Sequence, residues 1–131
     1  TQYRYVRNYF PELPYAQHLL YMDEMKTMQV WRKWAADGKL TGPQKLFFQA
    51  KKPREELYDS EKDPFEINNL AEDPKYAKKL KELSDRLDQW EKDTKDLGSI
   101  PETELIKRGL VVDKITTEYN ERIKKHPPES K

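Results

Sequence analysis

The residues best suited to chemistry in this chain sit in one stretch, Arg54 to Pro74 (REELYDSEKDPFEINNLAEDP), where carboxylates alternate with turn-forming residues. Asp59, Glu61 and Asp63 recur at every second position, as at the opening of a calcium-binding EF-hand loop. Such a loop needs glycine at its sixth position for a sharp turn and a bidentate glutamate at its twelfth. Those positions hold Pro64 and Leu70, so the pattern argues against calcium. Turn formation, helix capping and solvation explain the same carboxylates. Imidazole is equally sparse: His18 and His126 lie far apart, and neither has a second ligand at metal spacing. Cysteine is absent, which excludes disulfides, thiolate metal sites and a cysteine nucleophile, and leaves the redox compartment unread. The only glycines, Gly38, Gly42, Gly98 and Gly109, are too scattered for a phosphate-binding loop. No catalytic, cofactor-binding or metal-binding residue is expected in the chain.

Composition narrows the partners. The 131 residues are 35% hydrophobic and 37% charged, with a mean hydropathy of −1.13, so the core should be thin, with aromatics supplying much of its area. Twenty-five basic against 24 acidic residues leave a net charge of +1, and hence no long-range field to gather nucleic acid or an anionic membrane. The tyrosine-arginine run at Tyr3 to Phe10 could stack bases, but it lacks the glycines of RNA-binding sheets and any basic groove beside it. Neither nucleic acid nor membrane is expected as a partner, since no apolar run nears the roughly 18 residues of a membrane span. The chain opens Thr1-Gln2-Tyr3, in mid-strand and without an initiator methionine or signal peptide. It is expected to be an excerpt of a longer protein.

The elements follow from periodicity. Tyr3 to Phe10 alternates, with Tyr3, Tyr5, Arg7 and Tyr9 on one face of a strand that Pro11 and Pro14 stop. From Tyr21 to Ala36, apolar residues at Met25, Met28, Trp31 and Ala35 predict a helix, ended by the Asp37-Gly38 pair. KLFFQA (Lys45 to Ala50) and EELYD (Glu55 to Asp59) are two further strand candidates, of undetermined order. Asp73-Pro74 opens a long helix, the aspartate capping free amides. Tyr76, Leu80, Leu83, Leu87, Trp90, Thr94 and Leu97 form its stripe and Gly98 closes it. The stripe has coiled-coil spacing, but bulky Tyr76 and Trp90 suit a sheet surface better, and Leu87 and Trp90 are expected to be buried there. Shorter helices are expected at residues 101–108 and 116–125, before a mobile HPPESK tail.

Three motifs in fixed order carry a family resemblance. EELYDSEKDPFEINNLAEDP resembles the C-terminal signature of the sulfatases, which run E-L-Y-D, D-P-x-E and N-L-A ahead of a long helix. YRYVRNYFPELPY and GKLTGPQKLFF are also similar to sulfatase C-terminal regions, particularly of bacterial enzymes like the heparan N-sulfatases and arylsulfatases. The likeness runs from about Tyr3 to Leu97. It implies a piece of an alkaline-phosphatase-like hydrolase of sulfuric esters or sulfamates. In that family a Cys or Ser in [CS]-x-P-x-R becomes formylglycine beside a calcium ion, and both are expected in a separate catalytic domain. The only S-x-P here is Ser99-Ile100-Pro101, with Thr103 where arginine is required, so the match is fortuitous. The resemblance also implies that the C-terminal region helps shape the substrate pocket, for which Tyr15, Gln17 and His18 are the candidates.

The expectation is thus an α+β subdomain over residues 1–98, with a small antiparallel sheet covered by the long amphipathic helix and one or two further helices. Residues 99–131 would form a helical extension and tail. Its partner would be the catalytic domain of the same parent chain, in the periplasm or outside the cell if the parent is a bacterial sulfatase. Isolated, it would be inactive and would form a homo-oligomer. The competing expectation is a free-standing interaction module that self-associates through its helical stripe.

Overall fold

A computed structural model describes residues 2–111; His126, the helix expected at 116–125 and the tail lie outside them. The chain divides into two compact units, Thr1–Thr94 and Lys95–Lys131. The first is an α+β unit. Strand β1 (Tyr3–Arg7) is followed by helices α1 (Leu20–Glu24), α2 (Lys26–Ala36) and α3 (Gln44–Phe47). Strand β2 (Glu55–Asp59) and, after a 3₁₀ turn at Pro74–Tyr76, helix α4 (Ala77–Thr94) complete it. The second unit contains α5 (Glu102–Lys107), close to the short helix expected there.

β1 and β2 pair antiparallel in register Tyr3↔Asp59, Tyr5↔Leu57 and Arg7↔Glu55. Opposed residues share a face, so Tyr3, Tyr5, Arg7 and Leu57 lie together, and α4 covers them. Arg7 is the clasp. Its guanidinium donates to Asp88 Oδ1 at 2.5 Å and to Ser84 Oγ at 2.7 Å, and its Nε donates to the Tyr5 hydroxyl at 3.1 Å. Tyr3 meets Tyr76 edge-on at 6.2 Å between ring centres. Asp73 starts the helix as expected, its carboxylate accepting the Lys75 amide at 2.9 Å.

Four expectations are corrected. KLFFQA is not a strand: Gln44–Phe47 is helical, and both Phe47 (5.0 Å, stacked) and Phe48 (5.1 Å, edge-on) pack on Trp31. Adjacent rings reach one partner around a helical turn, whereas a strand would send them to opposite faces. The helix of residues 21–36 is broken at Met25, which is extended (φ −74°, ψ 122°). The break lets Asp23 reach Arg32, and its freed carbonyl accepts the Gln29 side chain at 3.0 Å. The end of α2 is as expected, since Gly38 takes a φ of +68° and Lys39 N–H closes onto Trp34 O. α4 stops at Thr94, before Gly98, with Lys95 in the left-handed region (φ +54°).

The fourth correction concerns what α4 buries. Leu80, Leu83 and Leu87 are half-buried, but Trp90 is 52% exposed. The reason is position around the helix: the side turned to the sheet runs through Leu83, Ser84, Leu87, Asp88 and Glu91, all half-buried, with Arg7 reaching both Asp88 and Glu91, and Trp90 stands off that side. The centre of the unit is instead Leu57, fully buried at 0% exposure. Truncating it should cost about 2–5 kcal/mol, whereas Trp90→Ala should cost less than about 1.5 kcal/mol for a half-exposed ring. Urea unfolding of the two variants checks the order; a Trp90→Ala protein less stable than Leu57→Ala would refute this picture of the core.

Candidate functional site

The sheet face away from α4 carries Arg4, Val6, Asn8, Glu56 and Tyr58. It forms the floor of a cleft of about 550 Å³, walled by Phe47 of α3 and by Phe65 and Ile67 of the turn after β2. A cleft of this size and mixed lining is of the kind that receives a ligand or an apolar element of a partner.

A buried carboxylate organises the floor. Glu56 is 5% exposed, and no cation pairs with it among the described residues. Its Oε1 accepts from Asn8 Nδ2 at 2.6 Å and from the Tyr15 hydroxyl, and its Oε2 accepts from the Tyr58 hydroxyl at 2.5 Å. Three donors disperse a charge that would otherwise be costly to bury. Asn8 Nδ2 also donates to Pro53 O at 2.7 Å, which ties the strand's end to the chain before β2. At the rim, Arg4 Nη1 donates to Glu66 Oε2 at 2.6 Å. Glu66 holds a φ of +52°, an uncommon backbone for glutamate that aims its side chain back toward β1.

Of the sequence candidates, the structure takes Tyr15 into the cleft wall and leaves Gln17 and His18 exposed outside it. His18 Nδ1 lies 2.9 Å from Asp23 Oδ2. Asp23 also accepts Arg32 Nε at 3.0 Å, and Arg32 donates to the carbonyls of Ala16 (3.1 Å) and Gln17 (2.8 Å). The bond to His18, with help from Arg32, holds the Asp23 carboxyl below the usual carboxylate range. The Tyr15–His18 loop is therefore pinned from beneath by one guanidinium. Glu56, Arg4 and Asn8 were not singled out by sequence reasoning; alternation places them on one face, but only the β1–β2 register brings them together.

The acidic stretch does not assemble a metal site. Asp59 Oδ2 is held by Lys62 Nζ at 2.8 Å and Gln2 Nε2 at 3.1 Å. Asp63 Oδ2 accepts the amides of Ile67 (2.8 Å) and Asn68 (2.7 Å). Each carboxylate folds onto its own turn, and no cluster of three metal-ligating side chains occurs among the described residues. In that turn Phe65 is 83% exposed, and the Asn69 side chain satisfies the neighbouring backbone. Asn69 Oδ1 accepts Leu57 N–H at 2.9 Å and Ala71 N–H at 3.0 Å, and its Nδ2 donates to Glu55 O at 3.1 Å.

Two tests follow. Burial, then the bond to Glu56, raises the Tyr15 and Tyr58 phenols well above the ordinary tyrosine value of 10.0. A raised folded-state value contributes stability that is whole below pH 10.0 and is lost as pH climbs above it. The melting temperature should therefore fall less steeply above that pH in Tyr15→Phe than in the parent chain; parallel alkaline limbs would contradict it. Calcium should leave the melting temperature unchanged, because a ligand raises stability only by binding the folded state. Calcium stabilisation abolished by Asp63→Ala would overturn the turn assignment.

No family model matches the chain. It is 42% identical over 107 residues, 82% of its own length, to an ulvan-active sulfatase of Formosa agariphila. It is 49% identical over 43 residues to N-sulphoglucosamine sulphohydrolase of Homo sapiens, and 55% identical over 42 residues to a Δ4,5-hexuronate-2-O-sulfatase of Bacteroides thetaiotaomicron. The matched regions are only 18%, 9% and 9% of those proteins. The relatives of this chain are sulfatases matched over a short region, which fits the C-terminal resemblance carried by E-L-Y-D, D-P-x-E and N-L-A, and the chain is a sulfatase-related segment.

Proposed function

We infer that the chain is the C-terminal subdomain of a sulfuric-ester or sulfamate hydrolase, packed on the catalytic domain and helping to shape its substrate pocket. The observation that carries this is the match to the ulvan-active sulfatase, in which 82% of this chain corresponds to 18% of a far longer enzyme. The sheet supports it physically. α4 covers one face, while the other presents the cleft with apolar walls of Phe47, Phe65 and Ile67, a surface suited to an apolar neighbour. The Tyr15–His18 loop, stiffened by Arg32, would stand at the edge of the pocket, where the exposed Gln17 side chain and the His18 ring, held by Asp23 through Nδ1, would meet substrate. Nucleophile and metal ligands would come from the catalytic domain, where formylglycine and calcium belong. The alternative, self-association through the α4 stripe, is disfavoured because Tyr76, Leu80, Leu83 and Leu87 are already half-buried.

The chain alone should not hydrolyse an aryl sulfate with calcium present; turnover that co-purifies with it and survives Ser99→Ala would show a nucleophile within the chain. A chimera in which this chain replaces its matching region in the ulvan-active sulfatase should remain active, where deletion of that region abolishes activity. A folded but inactive chimera would count against the subdomain reading. In an active chimera, His18→Ala should raise KM with little change in melting temperature.

A further inference from the structure

Glu56 brings an unmatched charge to the floor of the cleft. The lining holds three formally charged side chains, Arg4, Glu56 and Glu66. Arg4 and Glu66 answer each other at 2.6 Å, so the cleft as a whole keeps the negative charge of Glu56. Lys52 comes to 6.0 Å from the centre of the Tyr15 ring, but it forms no ion pair with Glu56 among the described residues. Buried charges are ordinarily paired. Here the groups on the carboxylate, two phenols and an amide, are all neutral.

The carboxylate also has room for a fourth donor, because its two oxygens offer about four lone-pair sites. Oε1 takes Asn8 Nδ2 at 2.6 Å and the Tyr15 hydroxyl, whereas Oε2 takes the Tyr58 hydroxyl alone, at 2.5 Å. The walls suit a cation carried on an alkyl stem. Phe47, Phe65 and Ile67 supply apolar surface against which the stem of a lysine or arginine packs, and aromatic ring faces attract its charged end. A metal ion does not fit the same floor, since no cluster of three metal-ligating side chains occurs among the described residues.

We propose that the cleft receives one basic side chain, lysine or arginine, from the catalytic domain, whose charged end donates to Glu56 Oε2. The proposal rests on the subdomain reading and names the contact by which the cleft meets its neighbour. Most of the ulvan-active sulfatase lies outside the match and can supply the residue. A buried charge pair of this kind acts on specificity: a surface that covers Glu56 without a cation leaves the carboxylate desolvated and unpaired, and is rejected. The pair thus sets how the subdomain seats on the enzyme.

Amino-acid amides test the charge and the chimera tests the occupant. In the isolated chain, Nα-acetyl-arginine amide and Nα-acetyl-lysine amide should shift the Ile67 methyl resonance saturably. Their affinity should exceed that of Nα-acetyl-norleucine amide, the uncharged probe, by about tenfold or more, the worth of one hydrogen bond to a charged group. Glu56→Gln should erase that preference. Equal affinity for charged and uncharged probes in the parent chain would overturn the proposal without recourse to any variant. In the active chimera the cleft is filled, so arginine amide should leave the Ile67 methyl unmoved, and Glu56→Gln should lower the melting temperature more than it does in the isolated chain. An active chimera whose Ile67 methyl still titrates, or whose melting temperature falls no further with Glu56→Gln than that of the isolated chain, would overturn the basic side chain while leaving the sulfatase reading intact. An Ile67 shift that grows with concentration of the isolated chain alone, together with a dimer by sedimentation, would assign the cleft to a second copy and likewise overturn it.

Discussion

One amide side chain lets a two-stranded sheet end cleanly on its β2 side. Buried or half-buried strand backbone must find partners for its outward N–H and C=O groups, and β2 is the most deeply buried segment described, with Glu56, Leu57, Tyr58 and Asp59 all shielded from solvent. Asn69 substitutes for a neighbouring strand, accepting from Leu57 and donating to Glu55, while its oxygen also receives the Ala71 amide. Leu70 adds the next bond to Leu57 O. The N-L-A element of the family signature is thus an edge cap for the E-L-Y-D element, and the intervening turn must have the length that brings the two together. Asp59 and Asp63 hold that length by folding onto the turn's amides.

With β2 fixed, its two faces take different roles. The Leu57 face is closed by α4 through the Arg7 clasp, a guanidinium whose planar fork reaches both Asp88 and Ser84. The Glu56 face stays open and polar at its floor. A buried carboxylate with no cation beside it among the described residues adds little stability, because three hydrogen bonds offset a desolvation cost of similar size. What it does is fix position: Asn8, Tyr15 and Tyr58 converge on it from three separate stretches of chain. The floor of the cleft is cross-linked at Glu56 by these three bonds, while at its rim Phe65 stays exposed.

The described residues form a thin core, one covered sheet face and one strand edge without partners among them. That agrees with the chain's relation to enzymes of which it matches less than a fifth.

Strand β1, the Asp73 cap, the Gly38 stop and the α+β class were legible in the sequence because they depend on local chemistry: alternation, a carboxylate beside free amides, a residue tolerant of positive φ. The connector role of the acidic stretch was legible for the same reason. KLFFQA, the break at Met25 and the exposure of Trp90 were not, because each turns on a distant partner: Trp31 for the phenylalanines, Arg32 for Asp23, and Arg7, whose ion pairs with Asp88 and Glu91 set the side of α4 that meets the sheet. Tyr15, Gln17 and His18 are near neighbours in sequence, yet only Tyr15 reaches the cleft, drawn there by Glu56, 41 residues away. Sequence determined which segments could be strand, turn or helix, since those preferences act over a few residues. Tertiary structure alone decided which face each side chain meets and which strand edge has no partner among the described residues, since both depend on a register set by residues about 50 positions apart.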